Sequence, residues 1–585
     1  MVASPRLFIV DFDLVGYPGH FFNQVFGFRE AARARGIATR IYISRRAEPA
    51  IAAELDAQAI LPVLEWLNGD LGSGLESLAD AHHFLTPLWD DLRAEKILES
   101  DVLVVTSSRP QAIYGIAQWL RERPPAERPA VFFRFLGPEF YDFEKRTFGR
   151  VAWTYRFVSR VIHTSPGAER MFFTLNNVRA LAHLEALSLR KAFYLPVPKY
   201  YGAVGPAEIR PAGPITIYIY VNVRSGEISD RIVDLIGSIL SRHDDVRFLV
   251  RFSKDAPGEG NVRRKAAEAL ADGRVEIVPS EQDHADYLAT IARSDVLLLP
   301  YGPVEYRGIV SGVFCETAAM GKIAIIPAET WMADHVEDGR ASGVLFANNI
   351  VSDMVAAVEK VILERGRLQA LADSCANPFR EENSCASNLD GMIALAAKAA
   401  DMRLPQVPLT DATDALGSQH YFGEGWSVAD EGFGTWSDGE RAEINVSIVP
   451  GAPPLFFSSL VRPFLVKGHS RLDVSMTANG VSVAEWSFDI NRAADRDWSW
   501  RHVQLPAAVS ASGEIQIAMH IRSPASPRSL GLSTDSRNLG IAIRQFSLEP
   551  EARAPGGDQS ERPTVLARLR RRIRRKLRQV LSPSE

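Results

Sequence analysis

The sequence predicts an α/β protein of two Rossmann-like halves, followed by an all-β sandwich and a basic amphipathic C-terminal helix. Three observations carry this reading. Between residues 5 and 400, short apolar runs without alternation recur, each leading through a polar or glycine-bearing loop into a helix-forming stretch. That is the pattern of parallel strands buried on both faces and joined by crossover helices. Near residue 402, Gly, Ser, Trp and Asp rise and period-two alternation takes over, as in half-buried antiparallel strands. The last residues, TVLARLRRRIRRKLRQVLSPSE, place Leu566, Leu569, Ile573, Leu577 and Leu581 three or four apart with arginines between.

A chain of 585 residues exceeds what one core serves, so two to four domains are expected. With 46% hydrophobic and 23% charged residues, the composition is that of a globular protein. Three cysteines, Cys315, Cys375 and Cys385, show no metal-ligand spacing and suggest a reducing compartment without a disulfide framework. No apolar run approaches the ~18–20 residues that span a bilayer. Asp11 and Asp13 interrupt the first apolar run and no basic region precedes it, which is unlike a signal peptide. The expected location is therefore the cytoplasm.

The first half is read as residues 1–205. Leu7–Val10 is a strand that ends in DFDLVGYPGHFFNQ, and a helix follows from Val25 to Arg35, closed by Gly36. His20 and Asn23 lie in that loop, where His20 is either a cleft group or a loop histidine without a role. Asp11 and Asp13 close a strand and are not read as a metal pair. Strands follow at Ile41–Ser44, Asp101–Thr106 and Ala130–Phe135, with helices over 48–95 and another helix opened by Ser107-Ser108. Arg134 and Glu139 are either cleft contacts or a structural ion pair. Val161–Thr164 is read as a strand, with Ser165-Pro166 opening a helix. Ala192–Leu195 and Pro196-Val-Pro198 end the half, and 202–214, rich in Gly, Pro and Ala, is a linker.

The second half is read as residues 213–402. Strands are expected at Ile215–Val221, Phe248–Phe252 and Val275–Val278, and helices at Arg231–Ser241 and Tyr287–Arg293. The central stretch runs from Asp295 to Trp331: strand Val296–Leu299, loop YGPVEYRGIVSG, helix Val313–Met320 with Gly321 at its C-cap, strand Ile323–Ile326. Unpaired N–H groups and the helix dipole suit an anion at the start of that helix. Val310, Ser311 and Gly312 let a phosphate approach. Glu316, one turn in, can reach back to accept hydrogen bonds from ribose hydroxyls; the alternative is an ordinary βα turn with a solvated glutamate. Residues 351–372 are helical, and 377–400 hold a last helix.

This stretch resembles the donor-site signature of retaining glycosyltransferases of family four, which have the GT-B fold, and the resemblance covers roughly residues 5–400. Family members usually carry two glutamates eight positions apart. Glu316 matches the second, which holds the ribose. Gly308 stands where the first would be, preceded by Glu305, Tyr306 and Arg307. A subset with a Tyr-Arg-rich loop running into Ser-Gly is the closer likeness. The resemblance implies two Rossmann-like domains facing a cleft, the first on the acceptor side, the second on the donor side, with the last helix crossing back. It implies a nucleotide-diphosphate sugar as donor substrate, no permanently bound cofactor and no metal. It further implies an arginine and a lysine on the donor diphosphate. Arg224 stands at the arginine position unless it is a surface residue; Lys254 or Arg251 stand at the lysine position. A cation there suits the charge that builds on the leaving group. His20 and Glu316 are the candidate catalytic residues, with His20 and Asn23 reaching across the cleft and a front-face mechanism that needs no general base.

The third domain is read as residues 406–550. RAEINVSIV, RLDVSMTANGVSVAEWSF, WRHVQLP and EIQIAMHI alternate with period two. GEGWSVADEGFGTWSDG and SPRSLGLSTDSRNLGIAI resemble a β-sandwich domain found on bacterial polysaccharide-synthesis proteins. Trp426 and Trp436 either stack on sugar rings or belong to the core. Asp535 and Arg537 form a strand-end ion pair or touch a ligand. Residues 551–585 are a linker and the basic helix. Residues 561–578 hold nine basic residues and one acid, about +8, which leaves about −13 on the rest of a chain whose net charge is −5. Such a helix suits an anionic membrane surface, at about 1 kcal/mol per basic residue. A nucleic-acid contact or a solvated helix are the alternatives, and no aromatic platform supports nucleic acid.

The expected function is transfer of a sugar from a nucleotide-sugar donor to a glycan or lipid-linked acceptor, with retention, in bacterial surface polysaccharide synthesis, on the inner face of the cell membrane. Two alternatives stand beside it: another GT-B enzyme such as a nucleotide-sugar epimerase, or a non-catalytic glycan-binding or scaffold protein.

Overall fold

The computed structural model describes residues 5–17, 20–64, 78, 80–137, 140–144, 147–149, 151–163, 165–202, 213–221, 227–252, 271–279, 282, 284–398, 402–411, 421–427 and 434–551. The first half is built on seven strands: β1 (Leu7–Asp11), β2 (Thr39–Ser44), β3 (Gln58–Leu61), β4 (Val102–Val105), β5 (Ala130–Phe135), β6 (Met171–Leu175) and β7 (Ala192–Tyr194). They pair in the order β3-β2-β1-β4-β5-β6-β7, all parallel. The second half has six: β8 (Ile215–Val221), β9 (Val246–Phe252), β10 (Val275–Val278), β11 (Val296–Leu298), β12 (Ile323–Pro327) and β13 (Gly343–Phe346). Their order is β10-β9-β8-β11-β12-β13, again all parallel. Both halves therefore repeat one doubly wound topology. In each, the strand order reverses beside the first strand, and a crevice opens at the carboxyl ends there.

The apolar runs form central strands because both sheet faces are covered. In β1, Phe8 and Val10 join one core with Leu103, Val105 and Phe133, while Leu7 and Ile9 join another with Val102, Val104 and Phe132. Alternate side chains point to opposite faces, so a strand buried on both sides reads as continuous apolar sequence. The second half repeats this, with Ile217 and Ile219 on one face and Tyr218 on the other.

Eight helices matter for the site: α1 (His20–Ala34), α2 (Val178–Ser188), α3 (Glu227–Leu240), α4 (His284–Ala292), α5 (Gly312–Ala319), α6 (Trp331–Glu337), α7 (Val351–Glu382) and α8 (Cys385–Ala396). α7 runs on to Asn383, with a kink at Glu364, and α8 restarts on Ser384, whose hydroxyl accepts from the Ser387 N–H at 3.0 Å. α8 then returns to the first half: Cys385, Leu389 and Met392 share a core with Leu7, Val25 and Phe28. The crossing is close. A Cβ on Gly27 would fall 2.5 Å from Cys385 Sγ and 2.7 Å from Tyr200 Cβ, so only glycine fits there. Two Rossmann-like halves with the last helix crossing back are the GT-B arrangement.

Several local expectations need correction. Val161–Thr164 is not a strand: Ala152–His163 is one helix, and β6 supplies the strand instead. Tyr155, Val158 and Ile162, all buried, show the three-to-four spacing of a helix face that a β-branched Val-Ile pair disguised. Ser165-Pro166 opens no long helix but leads to a 3-10 turn at Ala168–Arg170. The helix after β4 begins at Pro110 rather than at Ser107-Ser108. Within 48–95, β3 interrupts the helices. α1 starts at His20, five positions before Val25, so His20 and Asn23 are helical, not loop, residues.

The β-rich region forms two antiparallel sheets. One contains β14 (Val407–Asp411), β15 (Thr435–Asp438), β17 (Phe456–Pro463), β20 (Ser499–Gln504) and β22 (Leu539–Glu549); the other contains β16 (Arg441–Ser447), β18 (Arg471–Ala478), β19 (Val481–Asp489) and β21 (Glu514–Arg522). Ile444, Val474 and Ile517 of one sheet share a core with Phe457, Ile541 and Phe546 of the other, which makes a sandwich. It docks on the first half through Leu189, which packs on that core, and through the Lys191 N–H, which donates to Met402 O at 2.7 Å. The linker at 203–212 and the basic tail from 552 lie outside the described residues.

Candidate functional site

α5 begins at Gly312, one residue before the Val313 at which the sequence placed it. The Ser311 hydroxyl caps it by accepting from the Phe314 N–H at 3.2 Å, and Gly321 takes a left-handed φ of +67° after its end. Tyr301 supports the loop before it, hydrogen-bonded to Ser311 and Tyr306 and stacked on Tyr306 at 3.9 Å. Arg307 pairs with Glu329. Gly308 closes a 3-10 turn at Glu305–Arg307 with an ordinary φ of −102°, so its backbone makes no demand for glycine.

Glu316 is 5% exposed, and both its oxygens are engaged. Oε1 lies 2.5 Å from Lys199 Nζ, and Oε2 accepts from the Tyr287 hydroxyl at 2.5 Å. Burial pushes the Lys199 ammonium toward neutrality, but the charge and hydrogen bond of Glu316 outweigh it, and the pKa ends above the ordinary lysine value. Burial, with the Glu316 charge beside it, holds the Tyr287 hydroxyl protonated. Arg251, at the end of β9, lies over the rings of Tyr220 and Tyr287, 5.4 and 5.2 Å from their centroids. A Cβ on Gly312 would stand 3.8 Å from Lys199 Nζ, so the ammonium sits beside the start of α5.

Lys199 comes from the segment that leaves the first half after β7, and three elements hold it. Asn23 of α1 grips Tyr200 twice: Nδ2 donates to Tyr200 O at 2.8 Å and Oδ1 accepts from Tyr200 N at 3.0 Å. At the α7–α8 junction, Lys199 N donates to Asn383 O at 3.4 Å and Cys385 N donates to Lys199 O at 3.1 Å. Asn388 of α8 donates to Pro196 O at 2.6 Å. A second tie between the halves is bidentate, from Arg179 of α2 to Asp334 of α6 at 2.9 and 2.8 Å.

The first half contributes His20 and Arg134. His20 is exposed at the start of α1, with its ring centroid 3.9 Å from that of Phe21. Burial, Lys199 and Arg134 lower its pKa against the pull of Asp13, which favours neutral imidazole. Arg134 is 2% exposed and, among the described residues, its Nη1 has no hydrogen-bond partner. Burial brings its pKa down to about 10.

Asp11 and Asp13 are both engaged by groups of the first half. Asp11 accepts from the N–H groups of Asp13 and Leu14, each at 2.9 Å, and from Thr106 Oγ1 at 2.7 Å. Asp13 binds Ser107 and Arg109. Among the described residues, no group of three or more His, Cys, Asp or Glu side chains is placed to hold a metal ion.

The structure thus brings Glu316, Ser311 and Gly312 together, with Val310 on the same loop, and sets His20 within electrostatic reach of Lys199. Asn23 does not reach across the cleft: its amide is spent on Tyr200. Arg224, Lys254 and Glu139 lie outside the described residues. Lys199 and Tyr287 were not foreseen. The one signal for Lys199 was a lysine directly after Pro196-Val-Pro198. Trp436 and Trp426 pack inward: Trp436 is 9% exposed in a cluster with Leu539 and Ala542, and Trp426 Nε1 donates to Glu443 O at 2.8 Å. Asp535 and Arg537 form a strand-end ion pair at 2.6 Å.

No protein-family model and no curated protein matches the chain. Solved structures do. A glycosyltransferase from Rickettsia africae is 12% identical, covering 67% of this chain and 98% of its own at a TM-score of 0.48. An Anabaena protein solved with UDP and glucose is 11% identical, covering 68% and 100% at 0.43. A protein described as a UDP-N-acetylglucosamine 2-epimerase, from Listeria monocytogenes, is 11% identical, covering 67% and 95% at 0.44. Likenesses of this size transfer no activity.

Proposed function

We propose that the chain is a glycosyltransferase that uses a nucleotide-diphosphate sugar, with residues 213–402 as the donor side and residues 1–205 as the acceptor side. The observation that carries this is the buried Lys199–Glu316 pair at the start of α5, built from the two halves together. A diphosphate at that helix start meets free N–H groups, the positive end of the helix dipole and the Lys199 ammonium. Lys199 supplies the cation for which the sequence offered Lys254 or Arg251. Arg251 then acts from behind, packed on Tyr287, and Arg224 and Lys254 remain candidates for the same phosphates. A carboxylate offers about four lone-pair sites. Glu316 spends two on Lys199 and Tyr287, which leaves capacity for ribose hydroxyls.

In the transfer, the bond from the anomeric carbon to the diphosphate oxygen breaks and a bond to the acceptor oxygen forms on the same face. The acceptor proton passes to the departing diphosphate. Charge accumulating on that leaving group is what Lys199 and the α5 N-terminus stabilise. His20 stands on the acceptor side, where a neutral imidazole orients a hydroxyl rather than repelling a cation. The acceptor is a glycan or lipid-linked glycan in surface polysaccharide synthesis, and the basic tail holds the enzyme at an anionic inner membrane face. No helix among the described residues is long and apolar enough to cross a membrane.

The test is a thermal-shift panel of nucleoside diphosphates and nucleotide sugars on the wild type and on Glu316→Ala. A donor-specific shift that disappears in the variant is expected. No shift with any nucleotide sinks the assignment.

A further inference from the structure

The β-sandwich carries a cavity of its own, about 640 Å³, between β15, the chain leaving β17 and the turn after β19. That volume lies in the range of ligand pockets. Trp436 and Phe464 line it, edge to face at 5.8 Å. Trp498 packs on the same aromatic cluster. The polar lining is Arg462, Asn491, Asp495 and Arg496. Arg462 is exposed, and its guanidinium makes no hydrogen bond or ion pair among the described residues. Arg496 uses only Nε of its guanidinium there, donating to Ile490 O at 2.7 Å. The carboxylate on the wall, Asp495, is already satisfied: it accepts from Asp489 N at 3.0 Å and from Arg501 at 2.8 Å.

The walls are held in place without a ligand. His469 binds Phe464 O at 2.7 Å and Ser523 O at 2.9 Å, which fixes the turn that carries Phe464. Asp495 and Arg496 do the same for the turn after β19. A preformed cavity loses little freedom on binding. Its aromatic side suits the C–H face of a sugar ring, and its unspent guanidinium donors suit a planar carboxylate, which two parallel N–H groups recognise.

We propose that this cavity binds an acidic sugar residue of a glycan, a second saccharide site separate from the Lys199–Glu316 cluster. It tethers the enzyme to a uronate-bearing chain while transfer takes place elsewhere. Phe464, backed by the inward-packed Trp436, gives contact area, and the two arginines select for the carboxylate.

Calorimetric titration of the full chain tests this with a galacturonate tetrasaccharide, a hyaluronan tetrasaccharide and neutral maltotetraose. Saturable binding of an acidic saccharide is expected, with neutral maltotetraose weaker. Arg462→Glu, at an exposed position that leaves the unfolding transition in place, weakens binding at least tenfold, about the loss of one charge-assisted pair. Arg496→Ala weakens it as well. Glu316→Ala leaves it unchanged, so this site and the transferase assignment fail separately. Absence of heat with both acidic saccharides overturns the proposal. So does equal binding of the neutral one, or an Arg462→Glu variant that binds as the wild type does.

Discussion

At the carboxyl end of β1, the first half turns its polar groups on itself. Asp11 is spent on Thr106 and two backbone N–H groups, and Asp13 on Ser107 and Arg109. At the carboxyl edge of the second sheet, on the helix after β11, Glu316 instead takes Lys199 from the chain leaving the first half. The two sheets share one strand order, yet one crevice is locked from within and the other is completed from outside. The difference teaches why the proposed function is placed on one half of a repeated scaffold. A carboxylate satisfied by its own loop builds a rigid floor. A carboxylate satisfied across the halves makes binding depend on how they meet.

The strongest way to break this comparison is Glu316→Ala. It leaves the Lys199 ammonium buried without its partner and is expected to cost about 3–5 kcal/mol of stability and all donor binding. The pair Lys199→Met with Glu316→Gln removes both charges together. Urea unfolding should show most of the stability restored, while a donor titration stays silent. A double variant that binds donor would show the pair to be structural only.

The first half is probed by pH. Burial raises the Asp11 pKa to about 6, above the ordinary carboxylate value. The native state therefore holds this proton more tightly than the unfolded chain. The resulting stabilisation is fully present below the unfolded pKa and is lost as pH rises through about 6. Asp11→Asn lacks this titration. The stability of the wild type relative to the variant should grow by about 2 kcal/mol on acidification from pH 7 to pH 4, read from urea midpoints. A flat difference would mean that Asp11 is ionised in the native protein.

How much of this was legible depended on burial and distance along the chain. β1, β4, β5, β8 and β11 were readable because strands covered on both faces are short apolar runs. α5 was readable from its helix formers Ala318, Ala319 and Met320 and the terminal Gly321. β3, with Gln58 and Ala59 exposed, lacks the apolar run and was missed. β6 was missed because a Val-Ile pair at the end of the preceding helix looked more strand-like. Lys199 was out of reach for another reason. It meets Glu316 because Asn383 and Cys385 hold its backbone and Asn23 holds that of its neighbour Tyr200, contacts that span more than 170 residues to either side. No local period encodes such a meeting. For Asn23, the sequence pointed to the right neighbourhood and the wrong partner.

Asn23→Ala sharpens the comparison further, because it touches neither reactants nor the Lys199–Glu316 pair. Two hydrogen bonds to Tyr200 disappear, at a cost of about 1–3 kcal/mol. If the site depends on how the halves meet, donor affinity falls too, and steady-state kinetics should show KM raised more than kcat is lowered. Asn23→Asp, which keeps the acceptor for Tyr200 N, should recover part of the affinity. Loss of stability with unchanged donor affinity would make Asn23 a packing residue alone.

The smallest effect should come from Asp390→Ala. Asp390 of α8 pairs with Arg35 beside α1 at 2.6 Å, so this contact also ties the crossing helix to the first half. Its side chains, however, are 58% and 29% exposed, whereas those of Glu316 and Lys199 are 6% and 13% exposed. Water and salt screen the exposed pair, and ordering two long side chains offsets most of its attraction, so such a bond contributes roughly 0–1 kcal/mol. The expected outcome is a barely displaced urea midpoint, still less displaced at high salt, with donor binding intact. Both are ion pairs that tie the first half to a later element, and burial is the main difference between them. If Asp390→Ala were to weaken donor binding as Glu316→Ala does, the dependence on burial would be wrong. Closure of the halves would then rest on the sum of their contacts rather than on the buried lysine.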